Sequence, residues 1–552
     1  MKTSENSQSR FLRYKELYEN ALCAMSERCD GFQKNIDQYN GSDEIDGSPV
    51  RALTVRNITY EIIESEIDYE IPMPKASVAC YTDRRDKNAR TVERLCSAVR
   101  DALPFEEMND RDERQTYIFG SSVWYVDWES EGGGSVGGIR VHCLSPRDFI
   151  PQPGAPAVSD MEYCFLRFIT TRDELSRAFG KTAEEIERAE CDTEGEGSAT
   201  VVVCFYIGEG GRIGKLVFSG DLLLSDIPDY YGRKAMQGGR LITLERETFN
   251  PEDLPEKTSR RAVVPYYAPR TFPIVIRKNS SAMDSPFGTS DCDRIRPQQQ
   301  AINKVESRIL EKLLRSAVTP IMPEDARVTM NNSVFGQVIK MRPGEKAENY
   351  GKIDTTPDIT QDVKESDRLY EQARRVMGIS DALQGNDTEK TESGYARQLK
   401  IAQASGRLEG KKRLKYLAYS ELYRLIFQHF LAFSDGVRRL SYKDSYGRVI
   451  TESFNRYDFL EIGETGWEYF DEFLFSVDLN VGSEYKRESL WERNLENLTS
   501  GSLGDKTSPE TLLRYWQSQA RAGYPYAREN VEYFKGIAEQ KNNHESEKTN
   551  EE

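Results

Sequence analysis

The sequence predicts an α+β fold, and three patterns carry that prediction. Apolar residues recur at three- and four-residue steps in several long segments, the spacing of a helix with one buried face. Other runs are rich in β-branched and aromatic residues and are punctuated by glycine turns. One stretch, Ser393 to Phe433, reads as a single helix of 41 residues, about 60 Å long if continuous.

Residues 1 to about 40 read as a helix, with Leu12, Leu17, Leu22 and Met25 loosely on one side. A Gly/Ser/Asp-rich break follows from Gly41 to Ser48. Residues 52–80 alternate in strand fashion, as in Tyr60-Glu-Ile-Ile-Glu-Ser-Glu-Ile. Asn88 to Leu103 forms an amphipathic helix through Val92, Leu95, Val99 and Leu103. Strands are expected from Thr116 to Trp128, around a glycine-rich loop at Glu131 to Gly138, then from Ile139 to Leu144 and from Tyr163 to Phe168. Thr171 is placed as the N-cap of a short helix. Val201 to Ile207 and Lys215 to Phe218, joined by a Gly-rich turn, form a hairpin. Residues 50–280 are therefore an α+β body.

Beyond it, Ile302, Val305, Ile309, Leu313 and Ala317 share one face of a helix. Pro320 to Asp358 mixes prolines, glycines and short strand runs, and reads as a compact β-containing module between two helices. The second of these, Gln361 to Met377, turns Val363, Leu369, Ala373 and Met377 inward. A polar loop from Asp381 leads into the long helix, where Gly406 and Gly410 predict a bend. Glu472 to Val481 returns a strand to the body. Residues 484–540 read as helices, one starting at Ser508-Pro509, and the polar tail from Lys541 is expected to be disordered.

Lys plus Arg number 75 against 91 Asp plus Glu, a net charge of -16, which argues against a whole-protein grip on nucleic acid. Nine scattered cysteines without a C-x-x-C pair read as reduced thiols. No apolar run approaches the ~20 residues of a membrane span, and the first residues lack a signal-peptide core. A soluble protein made in a cytoplasm is expected.

Gly208-Glu-Gly-Gly-Arg-Ile-Gly-Lys-Leu misses the P-loop spacing, because Leu216 stands where Ser or Thr must meet magnesium; a hairpin turn is the better reading. The three histidines, His142, His429 and His544, are far apart and lack ligand partners at metal spacing. No metal or cofactor site and no catalytic residue is assigned.

One charge feature departs from the acidic background. Arg397, Lys400, Arg407, Lys411, Lys412, Arg413 and Lys415 crowd the long helix, with Glu409 the only acid among them. Three readings stay open: ion pairing with acidic segments such as Asp362, Glu365, Asp367 and Glu371, proximity to a DNA backbone, or a solvated face.

The order of these segments resembles that of tailed-bacteriophage portal proteins. The likeness rests on the helix holding Gly288-Thr-Ser-Asp and Gln299-Gln-Ala-Ile-Asn-Lys, the short β module, the returning helix, the polar loop, and Glu392-Ser-Gly-Tyr-Ala-Arg-Gln-Leu opening the long helix. Leu144-Ser-Pro-Arg-Asp-Phe-Ile-Pro-Gln-Pro-Gly-Ala is similar to the family's strand-to-loop segment. Each motif is weak alone; their order, over roughly residues 10–540, is the specific part.

The resemblance implies a portal-like architecture. Residues 1–287 and 434–483 would form the wing, 288–318 and 361–379 the stem helices, 319–360 the clip, 394–433 a long kinked wing helix, and 484–540 the crown. Ile302, Val305, Ile309 and Leu313 would line the stem interface. Gln384, Gly385, Asn386, Asp387, Thr388, Glu389, Lys390, Thr391, Glu392 and Ser393 would form a tunnel loop within residues 380–393. The implied assembly is a homo-oligomeric ring, typically a dodecamer, at one capsid vertex of the virion. Double-stranded DNA would pass through it without sequence specificity. Its implied partners are the terminase large subunit, the major capsid and scaffold proteins and a head-tail adaptor, with no membrane and no cofactor. The competing readings are a DNA-processing nuclease or NTPase with an atypical site, and another virion or scaffold-type interaction protein.

Overall fold

The computed structural model describes residues 2–42, 55–67, 74–80, 86–129, 138–186, 197–237, 240–244, 246–249, 262–315, 318–321, 331–333, 336–338, 351–354, 357–379, 394–434, 437–443, 448–463, 466–477, 484–521 and short pieces between 524 and 537. For residues 2–6, 233–263, 315–354, 394–407 and 484–489 it describes backbone alone.

Helices α1 (Lys2–Asn40) and α2 (Ile58–Ile67) precede strand β1 (Ala76–Cys80), α3 (Asp86–Ala102) and α4 (Phe105–Phe119). Strands β2 (Ser121–Glu129), β3 (Gly138–Leu144), β4 (Phe149–Pro151) and β5 (Tyr163–Thr171) follow. The short helices α5 (Arg172–Phe179) and α6 (Ala183–Ile186) lead to β6 (Ser198–Ile207), β7 (Ile213–Ser219) and β8 (Leu222–Ile227). Short strands β9 (Arg233–Gln237), β10 (Arg240–Leu244), β11 (Arg246–Phe249) and β12 (Ala262–Pro265) come before β13 (Ile274–Lys278). Helix α7 (Asp291–Arg315) is separated from α8 (Thr360–Met377) by β14 (Val318–Ile321), β15 (Asn331–Ser333), β16 (Gly336–Val338) and β17 (Gly351–Asp354). Then come α9 (Gly394–Phe433), β18 (Val437–Lys443), β19 (Val449–Asn455), β20 (Leu460–Gly463), β21 (Gly466–Tyr469), β22 (Phe473–Val477), α10 (Glu484–Thr499) and α11 (Pro509–Arg521).

Alternation of side chains along the strands builds the body in layers. Strands β4 to β8 form a five-stranded antiparallel meander, and β13, β2 and β3 form a second sheet in that order. Tyr14 and Tyr18 of α1 pack on Tyr206 and Phe165 of the meander. The other face of the meander, through Phe168 and Phe205, meets Tyr125 of β2. The neighbouring residue Trp124 points to the opposite face and meets Tyr419 of α9, and Trp128 meets Phe430. The succession is helix, sheet, sheet, helix. In the stretch from Ala418 to Ala432, α9 buries Tyr419, Leu422, Tyr423, Ile426, Phe427 and Leu431 around much of its circumference, as a helix inside a core does.

Helices α7 and α8 run antiparallel. Lys312 and Arg308 meet Asp362 near one end, Glu306 meets Ser366 further along, and Ile295 clusters with Met377 at the other. At the far end of this helical hairpin β14 pairs antiparallel with β17.

Several expectations are corrected. Tyr60 to Ile67 is helical. Asn57 Oδ1 accepts from the Tyr60 N–H and Gln299 Oε1 accepts from the N–H groups of Ile58 and Thr59, so the first turn's free donors are satisfied. Thr116 to Phe119 ends α4 rather than opening a strand. Gly120, at φ 84°, terminates the helix in the left-handed conformation, and β2 begins one residue later. In α8, Ala373 and Met377 are buried and Leu369 packs against their cluster as expected, but Val363 is exposed, and Asp362 and Ser366 turn inward. The long helix is continuous from Gly394 to Phe433, as its length predicted. Thr171 caps α5 as expected, in a full capping box with Glu174.

Candidate functional site

The densest concentration of polar chemistry is a buried charge network along α9. Lys411, Lys415 and Tyr419 lie four residues apart, so they project from one helix face. That face meets α4, α2, the start of α7 and β13. Lys415 is fully buried and donates to Glu113 and, at 2.6 Å, to Asn109 Oδ1. Arg277, the fourth residue of β13, bridges Asp112 and Glu113, reaching the latter at 2.6 Å. Asp112 also accepts from Ser122, from the Trp124 indole at 3.1 Å and from the Tyr419 hydroxyl at 3.3 Å. One turn back along α9, Lys411 donates to Glu66 at 2.8 Å and to Asp291 at 2.7 Å, with its ammonium 4.7 Å from the centre of the Tyr117 ring.

Burial and pairing compete at every member. Burial pushes Glu66 up to about 8, with the Asp291 carboxylate adding to the rise and Lys411 opposing it. Burial alone would lower Lys411, but Glu66 and Asp291 prevail and hold it up. Burial would raise Glu113, yet Arg277 and Lys415 hold it below its ordinary value. Lys415 is lowered, because burial outweighs the pull of Glu113. The network's chemistry is that of a clamp: each cation already has its anions, and the partners come from separate elements.

A second buried cluster lies between the sheets. Lys215 donates to Asp127 at 3.0 Å and to the Tyr125 hydroxyl at 3.2 Å, and the Tyr230 hydroxyl donates to Asp127 at 2.6 Å. His429, beside Tyr231, shares its Nδ1 with the Leu425 carbonyl at 2.8 Å and is pushed down to about 4 by burial. His142 stacks on Tyr125 from β3. Gly208 to Arg212 is the turn between β6 and β7, with Gly210 and Gly211 at positive φ. Among the described residues, no group of three or more His, Cys, Asp or Glu side chains could hold a metal ion, and no helix is long and apolar enough to cross a membrane.

The basic residues of the long helix divide. Lys411 and Lys415 are buried in ion pairs, which removes them from any DNA-facing surface, because their ammonium groups are consumed inside the chain. Ion pairing is the right kind of interaction, but its partners are Glu66, Asp291 and Glu113. The acids expected in that role pair elsewhere: Asp362 with Arg308 and Lys312, Glu365 with Arg368, Asp367 with Arg56, Glu371 with Arg374. Arg413 is exposed and Lys412 half-buried. The side chains of Arg397, Lys400 and Arg407, and the whole of Gln384 to Ser393, lie outside the described residues.

Of the expected stem-interface residues, Ile302 belongs to the chain's own core with Ile58, Ile62, Ala373 and Met377, and is thereby withdrawn from an intersubunit contact. Val305 and Ile309 are also buried, whereas Leu313 is 46 % and Leu314 69 % exposed. Gly288-Thr-Ser-Asp has a structural role. A Cβ on Gly288 would stand 2.5 Å from the Gly120 carbonyl oxygen, Ser290 Oγ accepts from the Cys292 N–H at the start of α7, and Asp291 holds Lys411.

Glu66, Asp112, Glu113 and Arg277 were not anticipated. Their signal is present in the sequence: Glu66 continues the Ile58, Ile62 spacing, and Arg277 shares a strand face with Val275, so each charge occupies a position whose period points to the core. No family model matches the chain, and no curated protein matches it.

Proposed function

We propose that the chain is a portal-type ring subunit, a conduit for double-stranded viral DNA at a capsid vertex. The observation that carries this reading is the order and pairing of elements after the body. An antiparallel helical hairpin, α7 and α8, bears a small β pair at its far end, and the chain then returns through a 40-residue helix into the core. That order matches the stem, clip and long wing helix of the family the sequence resembles. Leu313 and Leu314 leave apolar surface at the clip-side end of the hairpin, where a neighbouring subunit would cover it. An acidic ring around the channel would hold the DNA backbone weakly, which suits a passage through which DNA slides.

On this reading the terminase, the capsid and scaffold proteins and an adaptor are the partners, and the chain supplies no ATPase of its own. Gln384 to Ser393 serve as the channel loop; deleting Asn386 to Lys390 should leave assembly intact and impair packaging or genome retention. Native mass spectrometry with negative-stain imaging tests the proposal. Closed rings with a central hole are expected; a monomer at micromolar concentration that cleaves DNA with a divalent ion would replace it with the enzyme reading.

A further inference from the structure

Among the described residues, strand β13 is the outer strand of its sheet, paired on one side only. The Asn279 N–H donates to Gly120 and the Val126 N–H donates to Pro273, which turns the backbone groups of the odd-numbered residues toward β2. The N–H and C=O groups of Ile274, Ile276 and Lys278 therefore face away from the sheet. Among the described residues no hydrogen bond is made to these groups; Ile274 is itself buried, Ile276 and Lys278 are half-buried, and Val158 and Ser159 lie alongside. Beside this edge runs a groove of about 350 Å³, walled by Ile276, Val158 and, from α9, Leu414, Leu417 and Ala418. A second hollow of about 350 Å³ continues it past Ser281 and Leu414 toward Gly410.

Toward each end the groove carries a charge that has no ion-pair partner among the described residues. Lys278 lies at the Leu414 end, half-buried, and donates only to the Ser285 carbonyl at 3.3 Å. Glu421 lies two turns of α9 beyond Leu414, about 10 Å along the helix, at the other end of the groove, and makes no salt bridge among the described residues. Partial burial pushes Lys278 down and Glu421 up, the latter eased somewhat by Arg424, so both charges sit where a counter-charge would be welcome.

We propose that the free edge of β13 takes up an extended peptide segment of a partner protein as an added strand. Its backbone would pair with Ile274, Ile276 and Lys278, its apolar side chains would rest on Leu414 and Leu417, and an acidic side chain would meet Lys278 with a basic one about three to four residues away at Glu421. The proposal is independent of the portal reading.

The test uses the full chain in whatever assembly it forms, with a fluorescein-labelled peptide of alternating valine and threonine carrying a glutamate and, four positions on, a lysine. Fluorescence anisotropy should report saturable binding. K278E/E421K should weaken it by at least about tenfold and restore it for the peptide with the two charges exchanged. A peptide with proline at the backbone-pairing positions should not bind. E421K alone, at an exposed position, should give part of the loss in a chain with an unchanged circular-dichroism melt. Equal binding of the proline peptide, or affinity indifferent to the charge exchange, overturns the proposal. So does failure of both charged peptides to bind while K278E/E421K dissolves self-association, which would assign the edge to a second copy.

Discussion

Glu66 shows what the residue scale decides. Its folded pKa of about 8 lies above its ordinary 4.5, so the folded chain keeps a proton that the unfolded chain gives up. The stabilisation this provides is full below about pH 4.5 and is lost as pH rises toward 8. Lys411, Asp291 and Tyr117 are the groups that face it. Glu66→Gln should flatten the fall in urea-unfolding stability between those values and raise stability at the alkaline end; an unchanged pH profile would remove Glu66 as its source. Arg277 behaves differently, because removing it strands Asp112 and Glu113 in the core. Arg277→Met should cost about 3–5 kcal/mol, read as a lower denaturant midpoint at unchanged slope. His429 works from the acid side: held near 4 by burial against an ordinary 6.5, it contributes stability that is lost as pH falls across that interval.

At the scale of elements, caps and close approaches fix where the chain turns. The Thr171 capping box predicts that Thr171→Ala destabilises by about 1 kcal/mol, measured by thermal unfolding. Gly120 and Gly288 are in mutual backbone contact at the junction of the body with α7. Gly288→Ala should cost about 1–3 kcal/mol through forced displacement of that backbone, while alanine at Gly410, where a Cβ would meet nothing within 4 Å, should be tolerated. The α7–α8 hairpin separates chain stability from assembly. Ile302 and Ile309 are buried, so charges there would damage the subunit itself. Leu313→Asp with Leu314→Asp, at exposed positions, should leave the melt of the subunit unchanged and abolish rings in native mass spectrometry; rings that persist would detach this surface from assembly.

For the whole molecule, the α+β class, the amphipathic helices, the β6–β7 hairpin, the Thr171 cap and the long helix were legible in the sequence, because each depends on spacing within one segment. The helix at Ile58–Ile67 was not, since its first turn is capped by Gln299, 240 residues away along the chain. Nor was the end of α4, where Tyr117 and Phe119 have strand-like composition and the close approach of Gly288 leaves no room for a Cβ at position 120. The charge network divides the same way. Local spacing places Lys411, Lys415 and Tyr419 on one face of α9, and that much is sequence. Which acids they meet is decided by packing of α2, α4, α7 and β13 around that face, contacts that join residues more than a hundred positions apart. Local periodicity and turn chemistry are short-range properties, written in neighbouring residues. The burial of a charge and the identity of its partner are long-range properties that exist only once the layers close, and here the tertiary structure drew Lys411 and Lys415 out of an apparent basic patch into the interior clamp of the fold.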